Sequence, residues 1–255
     1  MISHNRIHPE LDDILIFETL DSTNQEAYRR RSEFVGHNIL FISNEQTLGK
    51  GQYGRHWESE AGLGLWMSLL LGSPTVLKHD LQLLSLYVGI VICRSLTTLM
   101  DVDISLKWPN DIIIGNRKCG GVLTEVQWAG ATAVSATIGI GINLEHRLTD
   151  FSVSIQQTAT SLHLAGWEKP DREQVLKNIV QVFFNNIDLL DRAADLAKEW
   201  NKVAFKINEP IQWSYNNTIQ EGQFLGITET GEAQILRGGV IHNFRSGEIQ
   251  LNLSV

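Results

Sequence analysis

The glycine-rich stretch at residues 46–57 (QTLGKGQYGRHW) restricts the fold most, because strand-like runs flank it on both sides. Its three glycines match the G-x-G-x-x-G spacing of dinucleotide-binding loops: Gly49, Gly51 and Gly54. That fingerprint also requires a helix directly after the loop and an acidic residue about 20 positions further on. Residues 63–71 resemble a strand, however, and residues 70–79 contain no Asp or Glu. The dinucleotide interpretation therefore fails on its context.

The same stretch also resembles a P-loop, since two of its glycines are followed by a basic residue. A P-loop needs Lys and then Ser or Thr at the positions of Arg55 and His56, and a helix must follow. With both motifs excluded, the glycines still allow backbone N–H groups to approach an anion closely. Lys50 and Arg55 add positive charge, and Trp57 offers a flat face for a purine. The pattern indicates a mononucleotide site in a different fold.

Charge and cysteine content limit the function classes. The chain has 255 residues and a formal net charge of −8, which makes it a poor candidate for general binding to nucleic acid or anionic membranes. The most apolar long segment, residues 81–100, is interrupted by polar residues and Arg94, which favours a buried helix over a membrane span. Residues 1–13 contain no evident secretory signal, and Cys93 and Cys119 lack metal-ligand spacing. We therefore expect a cytoplasmic protein with free thiols.

Apolar periodicity predicts an α+β domain followed by a small β-domain. A helix is expected to begin at Ser22, which stands at capping-box spacing from Gln25, and Asp171 opens another. A long helix covers residues 81–99. Short β-rich runs predict the strands of one sheet: residues 14–17, 39–43, 63–71, 105–108, 112–114, 121–128 and 134–144. Beyond residue 201, short β runs alternate with turns, so we divide the chain into residues 1–200 and a β-barrel or sandwich at residues 201–255.

Five segments, taken together, resemble those of one family. Besides the glycine-rich stretch, they are FETLDSTNQEA, SLKWPNDIII, RKCGGVLTE and IGIGINL, at residues 17–27, 105–114, 117–125 and 138–144. Their order and spacing resemble those of a biotin–protein ligase over nearly the whole chain. Each motif alone is a modest signal, but the combination of Lys-Trp-Pro-Asn-Asp, Lys-x-Gly-Gly and Gly-Ile-Gly-Ile-Asn is specific.

The resemblance implies a fold and a reaction. The expected fold is a mixed sheet flanked by helices, class II synthetase-like, with an SH3-like C-terminal barrel. The expected reaction joins biotin to the α-phosphate of ATP and then passes biotin from biotinyl-5′-AMP to a lysine. That lysine would belong to the biotin carboxyl carrier domain of acetyl-CoA carboxylase or another biotin-dependent carboxylase. Because a carboxylate must approach a triphosphate, the site needs cations and N–H donors, with Mg²⁺ as a further expected neutraliser.

The resemblance also assigns residues to roles. Lys118 is the expected central cation between the biotin carboxylate and the α-phosphate, with Lys50 and Arg55 as further catalytic cations. The expected biotin contacts are Ser22, Thr23, Gln46, Lys50, Lys118, Gly120 and Gly121. The expected nucleotide contacts are Gly49, Gly51, Gln52, Arg55, Trp57, Gly139, Gly141 and Asn143. The triphosphate or its metal is expected near Lys107, Asn110 and Asp111.

Several of these residues also have an ordinary structural interpretation. Ser22 suits a helix N-cap, Trp57 suits core packing, and Asn110 with Asp111 suits a turn after a proline. Arg237 and Arg245 in the C-terminal part suit solvated turns as well as contacts with nucleotide or carrier. The residue types alone leave these alternatives open.

Two other function classes remain open at this point. A lipoate or octanoate ligase or transferase shares the expected fold, but its usual Arg-Arg-x-x-Gly-Gly-Gly stretch is absent from the chain. A nucleotide-binding regulatory module without turnover is the non-enzymatic alternative, and Lys118 argues against it. About a dozen residues precede the first predicted strand, too few for the helix-turn-helix domain of some family members. We therefore expect a short form with no nucleic-acid or membrane partner, as a monomer or a homodimer.

The chain departs from the family pattern inside the glycine-rich stretch. Bacterial members resemble GRGRxGR there, whereas this chain has Lys50 and Gln52. Lys50 keeps the charge without the bidentate fork of arginine, and Gln52 has no charge. Since the second basic position belongs to the loop that covers the acyl-adenylate, we expect weaker retention of biotinyl-AMP.

Gln52→Arg should therefore slow the release of biotinyl-AMP roughly tenfold, which corresponds to about 1.4 kcal/mol from one charge-assisted hydrogen bond. Release of the free adenylate, or stray biotinylation of bystander proteins, measures the effect. Equal leakage from both proteins would remove the hypothesis, with Arg55 then the basic residue to examine as a substitute.

Overall fold

A seven-stranded mixed sheet forms the centre of the computed structural model, which describes residues 7–215 and 218–252. Its strands lie in the order β1-β2-β3-β7-β6-β5-β4, with β1 and β2 parallel and every other neighbouring pair antiparallel. They are β1 (Asp13–Leu20), β2 (Asn38–Gln46), β3 (Gly64–Leu71), β4 (Ile104–Lys107), β5 (Asp111–Ile114), β6 (Arg117–Ala129) and β7 (Thr132–Asn143). The predicted mixed sheet and its strands are confirmed.

Helices cover both faces of this sheet: α1 (Thr23–Arg30), α2 (Pro74–Leu77), α3 (Leu84–Thr97), α4 (Arg172–Asn185) and α5 (Ala193–Lys202). Side chains of a strand alternate between faces. In β2, Leu40 and Ile42 join the large core that contains α3 and α4, whereas Ile39 and Phe41 pack in a smaller cluster with Ala27 of α1. Neither α2 nor α5 was predicted. Within the described ranges, no helix is both long and apolar enough to cross a membrane.

The same alternation gives β7 two unlike faces. Ile138, Ile140 and Ile142 are buried in the large core. Gly139 and Gly141, between them, face the other way, opposite Ser68 and Trp66 of β3. The α1 face of the sheet therefore carries almost no side-chain volume along this part of β7, which leaves room for a site.

A second sheet, of five antiparallel strands, forms the C-terminal part. Its order is β11-β10-β9-β8-β12, from β8 (Pro210–Tyr215), β9 (Thr218–Ile227), β10 (Ala233–Arg237), β11 (Val240–Phe244) and β12 (Gln250–Leu251). The predicted small C-terminal β-structure is confirmed. Its closure into an SH3-like barrel and the boundary at residue 200 stay predictions, and residues 1–6, 216–217 and 253–255 of the two assigned domains lie outside the described residues.

Two helix starts that the sequence treats alike differ in the structure. Asp171 precedes α4, and its carboxylate accepts hydrogen bonds from the backbone N–H groups of Glu173 and Gln174 at 2.9 and 3.1 Å. Ser22 precedes α1 with extended backbone, but its side chain makes no capping hydrogen bond to a described residue. The predicted helix start at Ser22 is confirmed, and the predicted side-chain cap is wrong.

We expect Asp171→Ala to lower the free energy of unfolding by about 1 kcal/mol, because two N–H groups of α4 lose their acceptor. Ser22→Ala is the matched control and should change it by less than roughly 0.5 kcal/mol, since no capping bond is lost. Urea unfolding measures both. Equal losses in the two variants would contradict this account of the helix ends.

Candidate active site

A cavity of about 230 Å³ lies on the α1 face of the large sheet. The N-terminus of α1, the glycine-rich stretch, and parts of β5, β6 and β7 form its wall. Most predicted site residues line it: Ser22, Thr23, Gln46, Lys50, Gly51, Gln52, Arg55, Trp57, Asn110, Asp111, Lys118, Gly121, Gly139, Gly141 and Asn143. Three predicted residues lie behind the wall: Gly49, Gly120 and Lys107.

One end of the cavity carries a chain of neutral hydrogen-bonding groups. The side-chain oxygen of Gln46 accepts from the backbone N–H of Thr23 at 2.8 Å and from its hydroxyl at 3.1 Å. The Gln46 amide nitrogen donates to Ser59 at 2.9 Å. Ser68 donates from behind to the Thr23 hydroxyl at 2.7 Å or to Asn24 at 2.5 Å. These groups are held in place by one another, and none of them is charged, which suits an uncharged polar ring.

Asn24 also belongs to this network, and it was not predicted as a site residue. Its amide group packs against the Cα of Gly139 so closely that any side chain at position 139 would collide with it. Its nitrogen donates to Glu125 at 3.2 Å, and its side chain is almost fully buried. From sequence alone Asn24 is a first-turn helix residue, and only the distant strand β7 reveals its position in the site.

Three glycines form the floor of the cavity, and large side chains pack directly against two of them. We call Gly121, Gly139 and Gly141 the glycine strip, because they lie on the α1 face of the neighbouring strands β6 and β7. A Cβ atom at Gly141 would come within 2.8 Å of the indole of Trp57, and one at Gly121 would be 3.5 Å from the same ring. Gly139 and Gly141 thus first make room for Asn24 and Trp57, and Trp57 lies directly over the strip.

Trp57 has polar as well as apolar contacts in this position. Its ring packs edge-on against Trp66 at 6.4 Å, and the Lys118 ammonium lies 5.1 Å from its ring centroid. The indole Nε1 is buried and has no hydrogen-bond partner among the described residues. Pure core packing is therefore an incomplete account of Trp57, since an orphaned buried donor costs free energy.

Lys118 is the main cation of the cavity, and a buried carboxylate holds it. Asp111 lies between two ammonium groups, with Lys118 at 2.5 Å from one carboxylate oxygen and Lys107 at 3.0 Å from the other. Burial acts to raise the pKa of Asp111, but the two lysines outweigh it and the pKa is lowered. The side chain of Lys118 stays 30% exposed, so its charge faces the cavity while Asp111 fixes its position.

The same contacts bear on a metal bound by protein groups. Both oxygens of Asp111 are taken up by ammonium groups, and the Asn110 side chain donates to the backbone carbonyl of Val122 at 2.6 Å. Among the described residues, no group of three or more His, Cys, Asp or Glu could hold a metal ion. The residues present therefore do not fit a metal held by the protein alone, and Asp111 serves here to position the two lysines.

The glycine-rich stretch forms a short hairpin over the cavity, and we call residues 49–57 the glycine hairpin. The backbone N–H of Trp57 donates to the Gly49 carbonyl at 2.9 Å, and that of Gly51 donates to the Arg55 carbonyl at 2.8 Å. Lys50 also forms an isolated antiparallel bridge with residue 56. Lys50 and Arg55 are exposed on it, and both also line the cavity. The hairpin thus brings two cations to the cavity rim, and a strand (β3) follows it rather than the helix that a P-loop or dinucleotide-binding loop requires.

The other end of the cavity is aromatic. His146 stacks on Phe151 with ring centroids 4.8 Å apart, and burial lowers its pKa, so the ring is neutral at neutral pH. Asn143 donates through Nδ2 to the Thr160 carbonyl at 2.9 Å. This bond uses one of the two N–H groups of the Asn143 amide and orients that amide in the cavity wall. Neither His146 nor Phe151 was predicted from the sequence, where their position soon after the Gly-Ile-Gly-Ile-Asn motif is a weak signal.

Cys119 and the C-terminal arginines have simpler environments. Burial raises the pKa of Cys119 and of Cys93, the latter to about 12, and both thiols are unpaired. These thiols are therefore protonated packing groups. Arg245 pairs with Glu232 at 3.2 Å, and Arg237 ends strand β10.

Comparison with protein families agrees with this geometry. The model of the biotin/lipoate A/B protein ligase family matches residues 16–143. The bifunctional ligase/repressor BirA of Bacillus subtilis is 30% identical over 93% of this chain and 74% of its own length. The biotin–[acetyl-CoA-carboxylase] ligase of Paracoccus denitrificans is 26% identical over 86% of this chain and 91% of its own length.

A solved structure is similar over most of the chain. The biotin protein ligase of Aquifex aeolicus, in complex with biotin and ATP, superposes with a TM-score of 0.80 at 27% identity. The match covers 96% of this chain and 100% of that one. The family match over residues 16–143 and the 30% identity to the Bacillus protein lead to one conclusion. This chain belongs to the biotin/lipoate A/B protein ligase family.

Proposed function

We propose that this protein is a biotin–protein ligase, which activates biotin with ATP and transfers it to a lysine of a biotin carboxyl carrier protein. One observation carries the proposal: Lys118 lies in a cavity that also contains the neutral Thr23–Gln46 network and Trp57. A cation in the same cavity as an uncharged polar end and an aromatic plate suits a carboxylate-bearing ring compound and a nucleotide together. The relatives named above, including one solved with biotin and ATP, support the same substrates.

In the first step, a biotin carboxylate oxygen attacks the α-phosphorus of ATP, and the bond to pyrophosphate breaks. The Lys118 ammonium offsets the repulsion between the two anions and the charge that gathers on phosphorus. Lys50 and Arg55 on the glycine hairpin extend this positive field to the departing phosphates. Mg²⁺ accompanies ATP in this proposal and supplies charge neutralisation to the triphosphate.

In the second step, the neutral amine of the carrier lysine attacks the acyl carbon, and AMP leaves with the bonding electron pair. The product is a biotinyl amide, and the proton of the amine is lost to solvent. The names of the relatives support acetyl-CoA carboxylase as the source of the carrier domain. A cytoplasmic location is part of the proposal, and the two unpaired buried cysteines agree with a reducing compartment.

The test is exchange of pyrophosphate into ATP, measured separately with biotin, lipoate and octanoate. We expect exchange with biotin alone. Labelled pyrophosphate enters ATP only when the acyl-adenylate forms reversibly and reacts back with pyrophosphate. Exchange with lipoate or octanoate would instead favour the related ligases of that fold. Exchange with none of the three would favour a regulatory module that binds nucleotide without turnover.

Lys118→Met should reduce biotin-dependent exchange by roughly a hundredfold or more, since removal of one preorganised charge at the reacting centre costs about that much. Lys202→Met is a matched control, because Lys202 is exposed and pairs with Glu199 on α5 away from the cavity. Full exchange activity in Lys118→Met would contradict the assigned role.

Asp111→Asn should lower the free energy of unfolding by about 3 kcal/mol, because it leaves the nearly buried Lys107 without its partner charge. Glu199→Gln is the matched control: Glu199 also bridges two cations, Lys202 and Arg94, but in a more exposed position. We expect that control to lose less than roughly 1 kcal/mol. Chemical denaturation measures both variants, and similar losses would argue against a buried role for the Asp111 charge.

A further inference from the structure

The tip of the glycine hairpin reaches the C-terminal sheet through Tyr53. Its hydroxyl lies 3.4 Å from the hydroxyl of Ser246, within hydrogen-bond distance. A Cβ atom at Gly247 would touch the same ring, 3.4 Å from the hydroxyl oxygen and 3.7 Å from Cε1. Ser246 and Gly247 belong to the connection between β11 and β12. Residues almost 200 positions apart thus meet above the cavity.

The conformation of Tyr53 is an unusual one for its residue type. Its φ of +59° and ψ of +31° lie in the left-handed region, which a side chain other than Gly or Asn adopts at a cost in free energy. The residue is 64% exposed, so burial of its own apolar surface does not explain that cost. The left-handed turn does direct the ring away from the hairpin and toward the C-terminal sheet. The guanidinium of Arg55 lies over the same ring, 5.7 Å from its centroid.

The C-terminal sheet is a fixed support for this contact. The indole N–H of Trp108 donates to the Gly231 carbonyl at 3.0 Å. Asn201 of α5 exchanges two hydrogen bonds with the backbone of Ile227, at 2.8 and 3.1 Å. The large core contains buried residues of both sheets. A group that binds this sheet is therefore held relative to the cavity as well.

We propose that Tyr53 is a positioning residue, which holds the glycine hairpin closed over the bound acyl-adenylate by docking its tip on Ser246 and Gly247. The inference rests on the proposed function, since it names what retains that reaction's intermediate. Tyr53 does not line the cavity, whereas its neighbour Gln52 does. Tyr53 acts through the hairpin, and through Arg55, whose position over its ring it helps to define.

The contact of Tyr53 with Ser246 and Gly247 gives this chain a means of retaining the adenylate that does not depend on a basic residue at position 52. Gln52, next to Tyr53, has no charge with which to hold a phosphate. Opening of the hairpin must instead break the contact between Tyr53 and the C-terminal sheet before the adenylate can leave. Loss of the contact then raises the rate of adenylate release, while adenylate formation depends on Lys118.

The experiment uses the full chain, loaded with labelled biotinyl-AMP and chased with unlabelled adenylate. Tyr53→Gly keeps the left-handed backbone and removes the ring, and we expect release about fivefold faster. Tyr53→Phe and Ser246→Ala each remove one hydroxyl and should each speed release two- to threefold. Because both delete the same bond, the double variant should release no faster than either single one. Tyr28→Phe, on the exposed tyrosine of α1, is the control and should leave release unchanged.

Two outcomes overturn the inference. Release from Tyr53→Gly at the wild-type rate would mean that the hairpin is held closed without this contact. Additive effects of Tyr53→Phe and Ser246→Ala would mean that the two hydroxyls act independently. Failure of the proposed function would be recognised separately, because wild-type protein would then show no biotin-dependent pyrophosphate exchange. Wild-type exchange with unaltered release in every variant contradicts the role of Tyr53 alone.

Discussion

The site depends on the glycine strip, a part of the sheet surface that carries no side chains. In β7, isoleucines alternate with glycines, so one residue set fills the core under α3 and α4 while the other leaves the opposite face bare. The period of two along a strand makes this division automatic. Gly121 of β6 lies directly opposite Gly141, which widens the bare strip across two strands. Trp57 and Asn24 can approach the sheet only because of these glycines.

A second constraint is the charge balance beside the strip. Asp111 lies between Lys107 and Lys118, so one net positive charge remains where two anions are proposed to meet. The Asp111 carboxylate fixes the positions of both ammonium groups, one on each oxygen. An incoming carboxylate or phosphate can share Lys118 without leaving Lys107 unpaired. The arrangement therefore holds the cation ready before any ligand arrives.

The sequence predicted the sheet and the motifs of the site because both are local patterns. Helix α5 was not predicted because its N-cap residue, Arg192, is not a typical capping residue and makes no capping bond. Burial of Leu196 and Trp200 stabilises this helix instead. Asn24 was not predicted because the role of this residue depends on a glycine more than 100 positions away. The glycines themselves were found, but what packs against each of them is a tertiary contact. The predicted side-chain cap at Ser22 is wrong because the role of this side chain is also tertiary. Its backbone has the N-cap conformation, but its side chain lies in the cavity wall.

The C-terminal sheet connects these constraints. It contacts Trp108, which adjoins Lys107 in the chain, and it contacts Tyr53 at the tip of the glycine hairpin. The segment next to Lys107 and the segment that covers the cavity are thus both positioned against one sheet. The Tyr53 contact involves few atoms of an exposed residue, whereas Trp108 is nearly fully buried. Such an asymmetry suits a site that must stay closed over a reactive intermediate and still open for a carrier lysine.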